Sequence, residues 1–253
     1  MMRRILSLAI CFVCQVSLSF GQDFDILELA PRTSIYIETD YSGNEELTDC
    51  DWHSSASELL AAAATDGARF GRGCQVRIRI RGTINREGAM LFTDLVSRMS
   101  DLQYRPASVV LDSRGGDADA AIAIARLIRR NSIFERVPVE TRISDDHQAV
   151  CFSACVVIFS AGYRRSAEFD IDGNPALPSR LGIHGPGQFD RESGSYDSAA
   201  TNAEIMRVSR RLKDYFDGIG VPDKLVDDMF AVPFNEIRLL SREDLVSYRL
   251  YPD

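Results

Sequence analysis

Lysine is nearly absent from this 253-residue chain: of 29 basic residues, all but Lys213 and Lys224 are arginine. Both lysines fall in segments that read as surface helices, so a serine activated by a neighbouring lysine amine has no good candidate. Positive charge is short overall. Against 37 Asp and Glu it leaves a net charge of −8, which excludes a general nucleic-acid binder, because phosphate backbones demand clustered cations. The glycine spacing of a dinucleotide-binding loop is missing. The histidines are scattered and no second close cysteine pair accompanies Cys151 and Cys155, so no metal and no cofactor is expected. Beyond residue 21 no apolar run is long enough for the roughly 20 residues of a membrane span.

The first 21 residues are of a different kind. Arg3 and Arg4 precede an apolar run, Ile5 to Phe20, that closes on Ser19-Phe20-Gly21. This reads as a secretory signal cut after Gly21, with an uncleaved anchor as the alternative. Lipidation at Cys11 or Cys14 is disfavoured, since Ile10 and Val13 stand where a small residue is needed. The mature chain is then expected to be periplasmic or secreted, with no stable membrane span. Four cysteines remain there, Cys50, Cys74, Cys151 and Cys155, in a compartment that permits disulfides. Three pairings are possible, and Cys50 with Cys74 and Cys151 with Cys155 is preferred, because the second pair lies four apart, within reach across a helical turn.

The length suits one substantial core with a small appendage. Residues 22–74 read as an N-terminal extension with a strand near Ser34 to Glu38 and an alanine-rich helix from Ser57 to Ala64. Regular structure begins at Gln75. Val76 to Ile80 alternates as a half-buried strand, and an amphipathic helix follows from Arg86 to Met99. Ala107 to Leu111 is a short apolar strand, then Gly115-Gly116 turns into a helix from Ala118 to Arg130. Val137 to Ile143 and Ser153 to Ala161 repeat strand and helix more loosely. Leu181 to Ile183 is a strand that delivers His184, Gly185 to Ala199 reads as a polar mobile loop, and Thr201 to Phe216 is the clearest helix. A short helix from Asp223 to Met229, a strand from Glu236 to Leu240 and a capped helix from Ser241 close the chain. Strands alternating with helices predict an α/β fold with a mainly parallel sheet and helical crossovers.

Two features carry chemistry. Gly115-Gly116 lies between a buried strand and a helix; it serves a tight turn, and it also leaves backbone N–H groups uncovered. Ser153 opens a buried helix, and His184 ends another strand of the same parallel arrangement, where active sites of such sheets gather. Taken singly, the serine reads as a helix cap and the histidine as a packed side chain.

The blocks Ile80-Arg81-Gly82-Thr83-Ile84, Leu111 to Gly116, Ser153-Ala154 ahead of an apolar helix, and Gly182-Ile183-His184 resemble, in that order, the ClpP peptidases and their ClpP/crotonase superfamily. The tail Leu239 to Leu245 is similar to the closing block of those peptidases. With the cysteine-flanked serine and the export signal, the chain looks most like the periplasmic ClpP-like proteins. The resemblance covers residues 75–253. It implies a ClpP/crotonase-like fold, Ser153 as nucleophile, His184 as general base, and backbone N–H groups of Gly116 or Gly115 and of Ala154 as oxyanion hole. The aspartate that those peptidases carry as third member aligns with Ile237, leaving Asn235, Glu236 or Asp228 as substitutes. The expected function is an exported serine hydrolase, a peptidase, acting on a peptide or other acyl substrate. A non-catalytic binding or scaffold protein is the alternative. The family also implies a homo-oligomer.

Overall fold

The computed structural model describes residues 34–40, 53–55, 75–101, 106, 108–135, 137–141, 149–167, 179–190, 195–199 and 201–251. The expected signal, the helix from Ser57 to Ala64, Cys50 and Cys74 lie outside them.

Six strands form the main sheet in the order β2-β1-β3-β4-β5-β7. They are β1 (Ser34–Asp40), β2 (His53–Ser55), β3 (Gln75–Arg81), β4 (Ser108–Asp112), β5 (Pro138–Thr141) and β7 (Arg164–Ala167). From β3 to β7 every pairing is parallel. The extension is not separate from this sheet: β1 runs antiparallel along the whole of β3, and β2 pairs with β1. In β3 the alternation is real, with Ile78 and Ile80 fully buried and Arg77 and Arg79 half-buried. Central β4 instead buries Ser108 to Leu111 on both faces, as a strand covered from both sides must.

Three crossover helices connect these strands. In α1 (Arg86–Asp101) the buried set Phe92, Leu95, Val96 and Met99 follows the i, i+3, i+4, i+7 spacing of one face. In α2 (Ala118–Arg130), Ala121, Ile124, Ala125 and Ile128 do the same, and Asp117 caps its start by accepting the Ala120 N–H at 2.9 Å. The third, α3 (Ala154–Ser160), is buried along its whole length.

The chain leaves the main sheet at two points to build a second, smaller one, ordered β11-β8-β6, from β6 (Cys151–Phe152), β8 (Leu181–Ile183) and β11 (Arg238–Leu239). Ser113, just past β4, joins it: its N–H donates to Val150 O at 2.7 Å and its carbonyl accepts from Phe152 N–H at 2.9 Å. One difference from the expected pattern stands out. Within the predicted loop from Gly185 to Ala199, β9 (Gly187–Asp190) and β10 (Ser195–Ala199) form an antiparallel hairpin. Its polar sequence carries no apolar alternation, so the pairing left no signal in hydrophobic period. The remaining helices are α4 (Asn202–Asp217), α5 (Lys224–Ala231) and α6 (Arg242–Ser247). Both α4 and α6 begin on full capping boxes, Thr201 with Glu204 and Ser241 with Asp244. Among the described residues no helix is long and apolar enough to cross a membrane, and no group of three metal-ligating side chains occurs.

Candidate active site

The parallel pairing of β6 and β8 sets Cys151 against Leu181 and Phe152 against Gly182. The next residues, Ser153 and His184, therefore emerge at the same end of two adjacent strands, which run about 4.8 Å apart. Ser153 is tied there directly, its N–H donating to Gly182 O at 2.9 Å. No side chain fits at Gly182, where a Cβ would come within 2.6 Å of Ile237 Cγ2 and 2.7 Å of Phe152 Cδ1.

Ser153 holds φ 53 and ψ −121, an arrangement that residues with a Cβ rarely adopt. It occupies the N-cap position of α3 yet makes no capping hydrogen bond. The hydroxyl is left without a partner among the described residues, and the side chain is only partly buried. A cap would explain neither the strain nor the free hydroxyl. Cys151 and Cys155, one on each side of the bend, are joined by a disulfide with Cα atoms 5.2 Å apart, both fully buried.

Gly115 faces this bend. A Cβ on it would lie 2.8 Å from Ser153 Cβ, 2.9 Å from Phe152 O and 3.3 Å from Ala154 N, and its φ of +109 suits glycine alone. Its N–H is committed to Ser113 Oγ at 3.0 Å and its carbonyl to Ile84 N–H at 2.8 Å. Gly116 (φ +141) bridges to Ile84, whose carbonyl accepts Asp117 N–H at 2.8 Å. Among the described residues the N–H groups of Gly116 and Ala154 have no acceptor. Of the two glycines, then, only Gly116 has an N–H to offer.

His184 sits just past β8, partly buried. Its Nδ1 lies 2.7 Å from the carbonyl of Gly185. A carbonyl can only accept, so Nδ1 carries the proton and Nε2 keeps its lone pair. Burial lowers the His184 pKa from its ordinary value, outweighing the Gly185 hydrogen bond, which raises it. Among the described residues His184 and the Ser153 hydroxyl are not hydrogen-bonded to each other.

The three carboxylate or amide candidates for a third member are engaged elsewhere or face solvent. Asp228 accepts from Lys224 Nζ and the Tyr248 hydroxyl and lies 3.7 Å from Arg238 Nη2. Asn235 and Glu236 are exposed, the latter in a turn closed by its N–H to Pro233 O at 3.1 Å. The group that holds the imidazole is the Gly185 carbonyl, which a search for acids passes over. Its trace in the sequence is the Gly182-Ile183-His184-Gly185 arrangement. Gly185 is locked by its own N–H to Val232 O at 2.8 Å, where a Cβ would stand only 2.8 Å from that oxygen.

No family model and no curated protein matches the chain. Among solved structures it is similar to ClpP1 from Listeria monocytogenes, with 17% identity over 77% of this chain and 92% of that one, at a TM-score of 0.47. It is also similar to the 1510-N membrane-bound stomatin-specific protease, with 16% identity over 68% of this chain and 75% of that one, at a TM-score of 0.41.

Proposed function

We propose that the protein is an exported serine hydrolase, a peptidase in its simplest form, in which Ser153 and His184 act as a nucleophile and base pair. The observation that carries this reading is the strained Ser153 lying against Gly115, its hydroxyl without a partner among the described residues and the Gly116 and Ala154 N–H groups without an acceptor among them. In the proposed cycle His184 Nε2 takes the hydroxyl proton as Ser153 Oγ attacks the substrate carbonyl carbon. The Gly116 and Ala154 N–H groups receive the developing oxyanion, and Nε2 returns the proton to the leaving group. Water then attacks the acyl-enzyme with the same proton traffic and releases Ser153. The hydroxyl must first rotate onto Nε2, a closure that substrate commonly completes. The test is labelling with a fluorophosphonate probe on oxidised, folded protein: reaction at Ser153, lost in Ser153→Ala, supports it.

Among the described residues, the unmade Ser153 to His184 hydrogen bond and the lack of an acid behind the imidazole favour a second reading, a binding protein that keeps the fold without turnover. Failure of the folded protein to label decides for that one.

With a main-chain carbonyl orienting His184, substitutions of the acids should matter little. Glu236→Gln and Asn235→Ala are expected to keep kcat/KM within about threefold of the parent, whereas loss of a true triad acid costs about 10⁴. A drop of that size in either variant would return the role to a side chain.

The pH profile follows from the lowered His184 pKa. The base works only when neutral, and lowering its pKa keeps it neutral to more acidic pH. Thus kcat/KM should fall as the pH drops through a midpoint below the ordinary 6.5 and rise to a plateau on the alkaline side of it. An inflection above neutrality in a kcat/KM titration would count against His184 as the base.

A further inference from the structure

The seam between α2 and α4 is neutralised at the end nearer Gly116 and bare at the other. At the first end Asp119 Oδ2 accepts Arg207 Nη1 at 3.0 Å and Arg211 Nη1 at 2.8 Å. At the other, Arg126, Arg129 and Arg130 share one face of α2 at i, i+3 and i+4, and Arg164 and Arg165 follow α3 on β7. Among the described residues none of these five forms an ion pair. An uncompensated cluster of this size is out of keeping with a chain of net charge −8.

The cluster is held together. The Arg129 guanidinium carbon stands 4.0 Å from the centre of the Tyr163 ring, and the Tyr163 hydroxyl donates to Arg129 O at 3.0 Å. Arg165 Nη1 donates to Ser160 O at 3.2 Å. Burial, and then the charge of Arg129, lower the Arg165 pKa. Beside them Tyr215 of α4 is only 4% exposed. Among the described residues its buried hydroxyl has no hydrogen-bond partner of normal geometry, although Ser160, whose Oγ donates to Val157 O at 2.7 Å, lies beside it. Burial pushes that phenol up to about 12, so it stays a donor, and the charges of Arg126, Arg129 and Arg165 all act on it.

We propose that Arg126, Arg129 and Arg165, with the Tyr215 hydroxyl, form a binding site for a phosphate group. Guanidinium forks and a phenolic O–H can serve three oxygens at once, and three positive charges match a dianion better than a single carboxylate, which one fork satisfies. The site is separate from the candidate active site: α2 begins beside Gly116, and Arg126 and Arg129 stand eight and eleven residues past Ala118, about 12 and 17 Å along the helix. It does not depend on whether Ser153 is catalytic. The group could arrive as free phosphate or a phosphomonoester, or as the headgroup of an anionic lipid.

The experiment is isothermal titration of the full chain with inorganic phosphate at fixed ionic strength, so that general screening is held constant. One saturable site per chain is expected, weakened about tenfold or more in Arg126→Gln/Arg129→Gln and severalfold in Tyr215→Phe. Tyr215→Phe removes an unpaired hydroxyl, so its melting temperature without phosphate should not fall. In a second arm the protein is sedimented with phosphatidylglycerol or phosphatidylcholine vesicles. Pelleting with the anionic lipid alone, lost in the arginine variant and competed by phosphate, assigns the lipid source; saturable phosphate binding without pelleting assigns the free anion. No saturable phosphate binding together with no pelleting overturns the site, as does binding that both variants leave unchanged.

Discussion

Ser153→Gly is expected to be inactive and, at the same time, more stable than the parent. Serine at φ 53 and ψ −121 carries a backbone strain on the order of 1–3 kcal/mol that glycine does not feel. Against this stands glycine's greater freedom in the unfolded chain, about 0.5–1 kcal/mol. The net gain should be about 1 kcal/mol, read as a higher urea midpoint at unchanged slope. No cap is lost, because Ser153 makes none. Activity should fall by about 10³-fold or more, together with all fluorophosphonate labelling. Ser153→Ala separates the two effects: equal loss of turnover, without the stability gain, since alanine keeps the Cβ. Turnover that survives in Ser153→Ala would remove the nucleophile from the proposal. A stability loss in Ser153→Gly would mean that the serine serves the fold.

The largest stability effect should come from Gly116→Ala. The added Cβ would lie 2.1 Å from Ile84 O and 2.8 Å from Ile84 N, both backbone atoms that cannot swing aside, at a φ of +141. The Ile84 to Gly116 bridge must open, and with it the bonds from Ile84 N–H to Gly115 O and from Asp117 N–H to Ile84 O. Overlap and lost pairing together should cost about 4 kcal/mol or more, a large part of a usual folding margin of about 5–15 kcal/mol. Gly115→Ala meets a lesser overlap. Its Cβ would lie 2.8 Å from Ser153 Cβ and 2.9 Å from the backbone Phe152 O, so what must shift is the segment that carries the proposed nucleophile. Melting curves and labelling of the folded fraction should thus rank the two glycines oppositely, Gly116 worse for stability and Gly115 worse for labelling once folded. The reverse ranking would contradict the placement of both.

Much of this frame was legible because each signal was local. Ile78 and Ile80 alternate with arginines, Phe92 to Met99 repeat on one helical face, and Ser241 stands three residues before Asp244; each fixes its element without help from the rest of the chain. The α/β class followed from their order. The path of the chain past β4 was not legible. Ser113, Cys151 and Leu181 are far apart in sequence, and their pairing depends on which edge the chain meets once the core has closed. The hairpin of β9 and β10 was hidden for another reason, since a polar ribbon has no hydrophobic period to read. At the candidate site Ser153, His184 and the glycine pair could be picked out by residue type, as could the bridge from Cys151 to Cys155 by spacing. The strain at Ser153 and the partner of His184 could not, because backbone angles and main-chain carbonyls have no letter in the sequence.

The partner of His184 bears on how such a site could decay. A carboxylate on a side chain is one codon change from being lost, but the carbonyl of Gly185 belongs to the peptide unit and survives any substitution at that residue. It can be disturbed only by moving the segment that carries it, which Val232 O anchors through the Gly185 N–H and crowds against a Cβ. In a random mutational screen for lost hydrolysis, inactivating changes around the histidine should therefore fall at Gly182, Gly185 and the residues packed on them, and acidic positions should be nearly silent.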